Sequence, residues 1–286
     1  MLKLRDGIVE LYRKAATSIP TDVEEALRAT SLREEDPRVR ESLEVILNNI
    51  SIARTESRPI CQDTGFPVFF VKVPLGLSHR VIRDVIIDAT RIATKKIPLR
   101  ANAVDSVTEK NTGDNVGSSF PLIYIDETDE QMLTVDLMLK GGGSENLGQV
   151  YKLPAVLTIG GSEVRAERDL EGVRKCVLDA VFKAQGRGCS PYTIGIAIGG
   201  AKDQVAALSK RQLMRRLGDT SADAVIADFE ARMLDDLNRL GIGPLGFGGK
   251  TTAIGVKMGA AHRHPASYFV DVSFACWANR RGRLIW

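Results

Sequence analysis

The sequence predicts an α/β (α+β) fold in which mixed or antiparallel sheets are flanked by helices, with room for two subdomains. Three observations carry that reading. Residues 1–55 are helical in pattern. Beyond them, β-branched and aromatic runs of strand length alternate with apolar stripes at helical spacing. Links of hairpin length recur between the runs, which favours antiparallel pairing. A chain of 286 residues forms one large domain or two modest ones. No linker, repeat or low-complexity segment divides this one, so 1–286 is taken as a single domain.

Along the chain, Thr21-x-x-Glu24 after Pro20 has the pattern of a capping box. Asp36-Pro37 opens a further helix, with Val39, Leu43, Ile46, Leu47 and Ile50 on one stripe. Pro67 to Val73 is β-branched and aromatic and reads as a strand. A helix follows from Ser78 to about Lys96, striped by Val81, Val85, Ala89 and Ile92. The stretch 100–118 is polar and aperiodic, and loops of that length inside a domain are usually functional. Residues 121–126 and 132–139 read as strands paired through the polar Glu127–Glu130 link. Leu170, Val173, Val177 and Val181 stripe a helix from about Ser162 to Ala184, and Tyr192 to Ile198 is a strand. Helices near 202–217 and 220–240 lead into glycine-rich Gly241–Gly249, and strands near 251–257 and 267–275 close the chain.

Composition excludes several classes of function. Apolar residues make up 44% and charged residues 26%, which rules out a disordered chain, a collagen and a coiled coil. Thirty-nine basic against 36 acidic residues leave +3, too little to attract nucleic acid or anionic lipid. No apolar run approaches the length of a membrane span. Met1 to Glu10 is charged throughout and lacks the apolar core of a secretory signal, so a cytoplasmic protein is expected. The basic groups Lys210, Arg211, Arg215, Arg216 and Arg280, Arg281, Arg283 read as solvated faces or a subunit contact.

Two phosphate-binding motifs fail on context. Gly241-Ile-Gly243-Pro-Leu-Gly246 matches the dinucleotide fingerprint by letter but follows a helix and leads into a strand. Gly249-Lys250-Thr251 ends like a P-loop without the first glycine of one. Backbone N–H groups of this turn can still approach an anion.

The four cysteines separate by setting. Cys176 lies on an apolar helix face and reads as a core thiol. Cys61, Cys189 and Cys276 stand where the chain turns beside a strand, although core packing also suits Cys276. Three such thiols can converge on a soft metal centre, zinc or an iron–sulfur cluster, and their spacing does not choose between the two. His262-Arg-His264 adds a spacing seen in metal sites but taken alone is more often a hydrogen-bonded loop. A zinc hydrolase, or a scaffold subunit that has lost its metal, is compatible with the same residues.

Four segments together narrow the choice: Arg58-Pro-Ile-Cys-Gln-Asp-Thr-Gly-Phe-Pro67, Lys140-Gly-Gly-Gly-Ser-Glu-Asn146, Gly188-Cys-Ser-Pro-Tyr-Thr-Ile-Gly195, and Gly241 through Cys276. They resemble the iron–sulfur-dependent class I fumarases, and most closely the separate α subunit of the two-subunit members, a relative of the tartrate dehydratase α subunit. The resemblance runs over nearly the whole chain and in order. It implies a hydro-lyase of the tricarboxylic acid cycle with a [4Fe–4S] cluster held by Cys61, Cys189 and Cys276, one iron remaining open as a Lewis acid. Asp63 and His264 are then the catalytic pair that orients the reacting oxygen and shares its proton. Gln62, Arg100 and Gly143 bind substrate, Arg100 through a bidentate fork.

Single-chain relatives continue into a second domain that carries the general base, and no segment here resembles it. The expectation is half an enzyme, active with a β subunit in an α2β2 assembly. The Lys140–Asn146 and Gly246–Thr252 segments look like the fumarase side, while His262-Arg-His264-Pro and Cys276–Arg281 are shared with tartrate-type relatives. Fumarate hydration to (S)-malate is therefore the expected reaction, with tartrate or another small diacid as the alternative.

Overall fold

A computed structural model of the chain describes residues 1–159 and 161–286. Its helices are α1 (Leu2–Thr17), α2 (Thr21–Arg33), α3 (Pro37–Thr55), α4 (His79–Lys96), the single turn α5 (Gly142–Glu145), α6 (Leu170–Ala184), α7 (Lys202–Gln212) and α8 (Ala224–Arg239). The strands are β1 (Phe66–Pro74), β2 (Leu122–Thr128), β3 (Thr134–Lys140), β4 (Gln149–Lys152), β5 (Ala155–Ile159), β6 (Ser162–Ala166), β7 (Tyr192–Ile198), β8 (Ala253–Ala260), β9 (Phe269–Ala275) and β10 (Arg280–Ile285). They belong to two units. One comprises Met1–Pro20, Asn48–Gly142 and Ala278–Trp286, the other Thr21–Leu47 and Gly143–Trp277.

The first unit is built on a four-stranded sheet of order β10-β3-β1-β2. Its core joins Leu4, Ile8, Leu11 and Tyr12 of α1 to Ile82, Ile86 and Ala89 of α4 and to Phe69, Val71 and Val73 of β1. The spacing of the α1 set puts one stripe of that helix into the core. The Tyr12 hydroxyl is satisfied by the Thr90 hydroxyl at 2.8 Å, so the ring is buried without an orphaned polar atom.

The expected hairpin of β2 with β3 is not formed. Strand β1 lies between them, parallel to β2 (Val68 opposite Leu122) and antiparallel to β3 (Phe69 opposite Leu137). Burial explains the order. Strand β3 is buried at nearly every residue and needs a neighbour on each side, whereas β2 is half exposed and suits an edge. The neighbour on the other side of β3 is β10, which carries three arginines in six residues and has no strand-like pattern.

The second unit holds a sheet of order β4-β9-β7-β8 and the β5-β6 pair. Helices α7 and α8 pack on this sheet and α6 on β5, β6 and β9. Tyr192, Ile194, Ile196, Val256, Val270, Val272 and Phe274 meet Val173, Val177 and Val181 in its core. The expected helix from Ser162 starts only at Leu170, because β6 takes Ser162–Ala166 and Asp169 then caps the helix by accepting the Gly172 N–H at 2.7 Å. Helix α2 begins at Thr21 itself, and α7 stops at Gln212. Strands β7 and β8, like β1 and β2, run parallel across helical connections, so pairing is mixed. Among the described residues no helix is long and apolar enough to cross a membrane.

Candidate functional site

In the first unit, the segment from Cys61 to Gly65 links α3 to β1. Ile60, almost fully buried, anchors its start by donating its N–H to Ala16 C=O (3.0 Å) and accepting from Asn49 Nδ2 (2.8 Å). Cys61 follows half-buried and Gln62 exposed. Gly65 has φ +75, and a Cβ there would stand 2.8 Å from the Leu139 carbonyl carbon, so only glycine lets the loop reach β3.

Asp63 is the hub of this loop. Its Oδ1 accepts the Gly65 N–H and its Oδ2 the Gly142 N–H, both at 2.8 Å. Thr64 Oγ1 accepts the Arg100 N–H at 2.9 Å, and Asn102 Nδ2 donates to Gly65 C=O at 2.8 Å. Asn115, buried at φ +58, donates to Arg100 C=O and accepts the Asn102 N–H at 2.6 Å. The polar stretch 100–118 is therefore ordered around Asn115, and it presents the Arg100 side chain to solvent beside the Cys61 loop.

The second unit carries Cys189, Cys276, Gly143 and His264. Cys189 is exposed at φ +61, in the turn between α6 and β7. Its N–H donates to Gly186 C=O, and its own C=O accepts the Trp277 N–H, both at 3.0 Å. That second bond sets Cys276, at the end of β9, beside the Cys189 turn. The Tyr192 phenol lies near both thiols: burial pushes its pKa up to about 12, and negative charge on Cys189 and Cys276 acts in the same direction. Its hydroxyl accepts the Gly188 N–H at 3.1 Å and donates to Gln185 C=O at 2.7 Å, closing the turn from below.

Glycine 243–249 explains itself here. Leu245 N–H donates to Ser190 C=O and Ser190 Oγ to Gly243 C=O, so the loop is bonded to the residue after Cys189. Gly186 and Gly246 touch backbone to backbone; a Cβ on Gly186 would stand 2.5 Å from Gly246 Cα. The anion at the end of this loop is the chain's own Glu34, which accepts the Lys250 N–H at 2.9 Å. The motif that resembles a nucleotide fingerprint is a bracket for the Cys189 turn.

His264 sits in the exposed segment after β8, where its Nδ1 accepts the Ala266 N–H at 3.1 Å. Nδ1 as acceptor leaves the proton of the neutral ring on Nε2. Gly143, in α5, is exposed, and a Cβ there would meet nothing within 4 Å. Cys176 is fully buried, and burial pushes its thiol up to about 12, which removes it from thiolate chemistry.

Among the described residues no disulfide joins any cysteine, and no group of three or more His, Cys, Asp or Glu side chains could hold a metal ion. Within the second unit the Cys189 and Cys276 turns lie side by side; Cys61 is carried by the first unit. Soft sulfur donors at turns fit an iron–sulfur centre better than a hard-ion site.

Two readings of the basic residues are corrected. Arg280 is not on a solvated face: it is 2% exposed, and its Nη1 donates to the Asp63 carbonyl at 2.5 Å. Lys210 pairs with Glu145 at 2.5 Å and Arg215 with Glu230 at 2.6 Å, both part-buried. Sequence periodicity missed Arg280, Thr64, Asn102 and Asn115; the one signal for Arg280 was its place four residues after a candidate ligand.

The chain is thus an α/β protein of two units whose Cys61, Cys189 and Cys276 stand beside strand ends as accessible sulfur donors. The chain matches the family model described as fumarate hydratase (Fumerase) over residues 5–284, and it belongs to that family. It is 43% identical over 282 residues to a Geobacillus stearothermophilus protein named "Putative fumarate hydratase class I", covering 98% of this chain and 54% of that protein. It is 33% identical over 289 residues to the L(+)-tartrate dehydratase subunit alpha of Escherichia coli K12, covering 99% of this chain and 90% of that subunit. The chain thus spans about half the length of the first relative and most of the second.

Proposed function

We propose that this chain is the α subunit of a [4Fe–4S]-dependent hydro-lyase that reversibly hydrates fumarate to (S)-malate in the cytoplasm, together with a β subunit in an α2β2 assembly. The observation that carries the reading is the Trp277 N–H to Cys189 C=O bond, which pairs two cysteine turns in a chain of this family. Fumarate is favoured by 43% identity to the relative that carries that name, against 33% to the tartrate enzyme subunit.

Cys61, Cys189 and Cys276 would hold the cluster. When bound, it supplies a Lewis acid that polarises a substrate carboxylate and hydroxyl. The Arg100 guanidinium grips the other carboxylate as a fork, with the Gln62 amide and the Gly143 N–H as further donors. Each Asp63 oxygen already accepts one backbone N–H and keeps a lone pair, so the carboxylate can accept a hydrogen bond from the reacting oxygen and orient it without needing to turn. His264, holding its proton on Nε2, donates to the reacting oxygen. The base that works on the substrate carbon belongs to the β subunit.

The test is anaerobic reconstitution with iron and sulfide. Cys61→Ser, Cys189→Ser and Cys276→Ser should each lose iron and the visible absorption of a cluster, while Cys176→Ser keeps both. Adding the β subunit should bring fumarate hydration that saturates at equal molar amounts. Full iron content in any of the first three variants, or turnover by this chain alone, would overturn the reading. A second reading, the tartrate dehydratase α subunit, is supported by identity over nearly the full chain to a subunit of that name; dehydration of L(+)-tartrate without fumarate turnover would select it.

A further inference from the structure

Arg280 opens β10 in the first unit, and its side chain is among the most deeply buried of the protein. Burial of a guanidinium is retained only against a stability cost, which is greater when its donors are incompletely used. Here Nη1 donates to Asp63 C=O at 2.5 Å, while the buried Nε has no hydrogen-bond partner. An apolar residue of similar length would fill the same space without that penalty.

The bond reaches the one residue through which the Cys61 loop is organised. Asp63 is held from three directions: by Arg280 at its carbonyl, by Gly65 N–H within the loop, and by Gly142 N–H at the start of α5. The last two use the carboxylate, so the carbonyl is the handle that remains for fixing the peptide between Asp63 and Thr64. Thr64 in turn carries the Arg100 N–H. Arg280 therefore stands behind a chain of contacts that ends at a candidate ligand, Cys61, and at two candidate substrate-binding side chains, Gln62 and Arg100.

We infer that Arg280 is a positioning residue for the Cys61–Asp63 loop, acting through the Asp63 carbonyl and placing a fixed positive charge behind a loop that handles thiolate and carboxylate. This deepens the proposed function of the same site and rests on it for the identity of the anions, but the ordering of the loop is testable without cluster or substrate.

The experiment uses the purified full chain without iron. Hydrogen exchange is followed on peptides covering 58–66, and iodoacetamide labelling of Cys61 is followed with Cys189 as the internal reference. Arg280→Met should speed exchange and Cys61 labelling about tenfold, the factor that one charge-assisted hydrogen bond represents. Arg280→Lys, which can still donate once, should fall between, and peptides of α1 should not change. Wild-type exchange and labelling in Arg280→Met would overturn the inference. If Arg280→Met does not fold, Arg280→Lys alone decides: exchange of 58–66 and Cys61 labelling should still be severalfold faster than in wild type with α1 unchanged, and wild-type values in that variant would overturn the inference. A loosened loop in a chain that never takes up iron or hydrates fumarate would count against the proposed function and leave Arg280's role standing. The opposite result would count only against Arg280.

Discussion

Gly186→Ala is the sharpest test of how the Cys189 turn is held. The new Cβ would stand 2.5 Å from Gly246 Cα, 2.6 Å from Gly246 N and 2.7 Å from Leu245 C=O. All three neighbours are backbone, so no side chain can swing aside and the two turns must part by roughly 1 Å, an overpacking that costs about 1–3 kcal/mol. Parting them also strains the Leu245 N–H to Ser190 C=O and Ser190 Oγ to Gly243 C=O bonds, each contributing about 1 kcal/mol. A loss of about 3 kcal/mol corresponds to a fall in melting temperature of roughly 6–12 °C for a chain of this size. Because Ser190 is adjacent to Cys189, iron uptake after anaerobic reconstitution should fall with it. The assays are calorimetric melting and iron stoichiometry, with Gly218→Ala as the control, since a Cβ there meets nothing within 4 Å. A Gly186→Ala protein that melts within about 1 °C of wild type, with full iron, would refute the bracket.

Three further outcomes follow from the same structure. Burial raises the Cys176 thiol from its ordinary 9.0 to about 12, so the folded chain keeps a proton that the unfolded chain loses. Stability from this group is whole below pH 9 and is lost as pH rises towards 12, with a slope of up to about 1.4 kcal/mol per pH unit; melting curves of wild type and Cys176→Ala between pH 8 and 11 should diverge in slope, and parallel curves would reject the assignment. Asp223 caps α8 by accepting the Val225 and Ile226 N–H groups at 2.8 and 3.2 Å, so Asp223→Ala should cost about 1 kcal/mol in urea unfolding without altering iron content. Gly143→Ala has room for its Cβ and keeps its N–H, so it should hold the wild-type melting temperature within about 1 °C, and a fall of several degrees would reject the open setting of this turn.

The chemistry on offer and most of the local structure were legible in the order of residues. Sequence neighbours separate Cys176, set in an apolar helical stripe, from Cys61 and Cys189 at turns and left Cys276 between turn and core, and the structure buries the first and leaves Cys61, Cys189 and Cys276 partly or fully accessible. Helices α1, α3, α4, α6 and α8 and strands β1, β7 and β9 were legible because periodicity is a property of neighbours in the chain. Tertiary structure alone decided which strands pair and which polar groups meet. Strand β1 enters between β2 and β3, where a hairpin was expected, because a strand buried on both faces must have two neighbours. The arginine-rich β10 becomes a strand by completing that sheet, not by its own pattern. Arg280 finds the Asp63 carbonyl 217 residues away, and Glu34 finds Lys250 across 216. Such contacts leave no periodic trace, because they join groups whose only common property is where the folded backbone puts them.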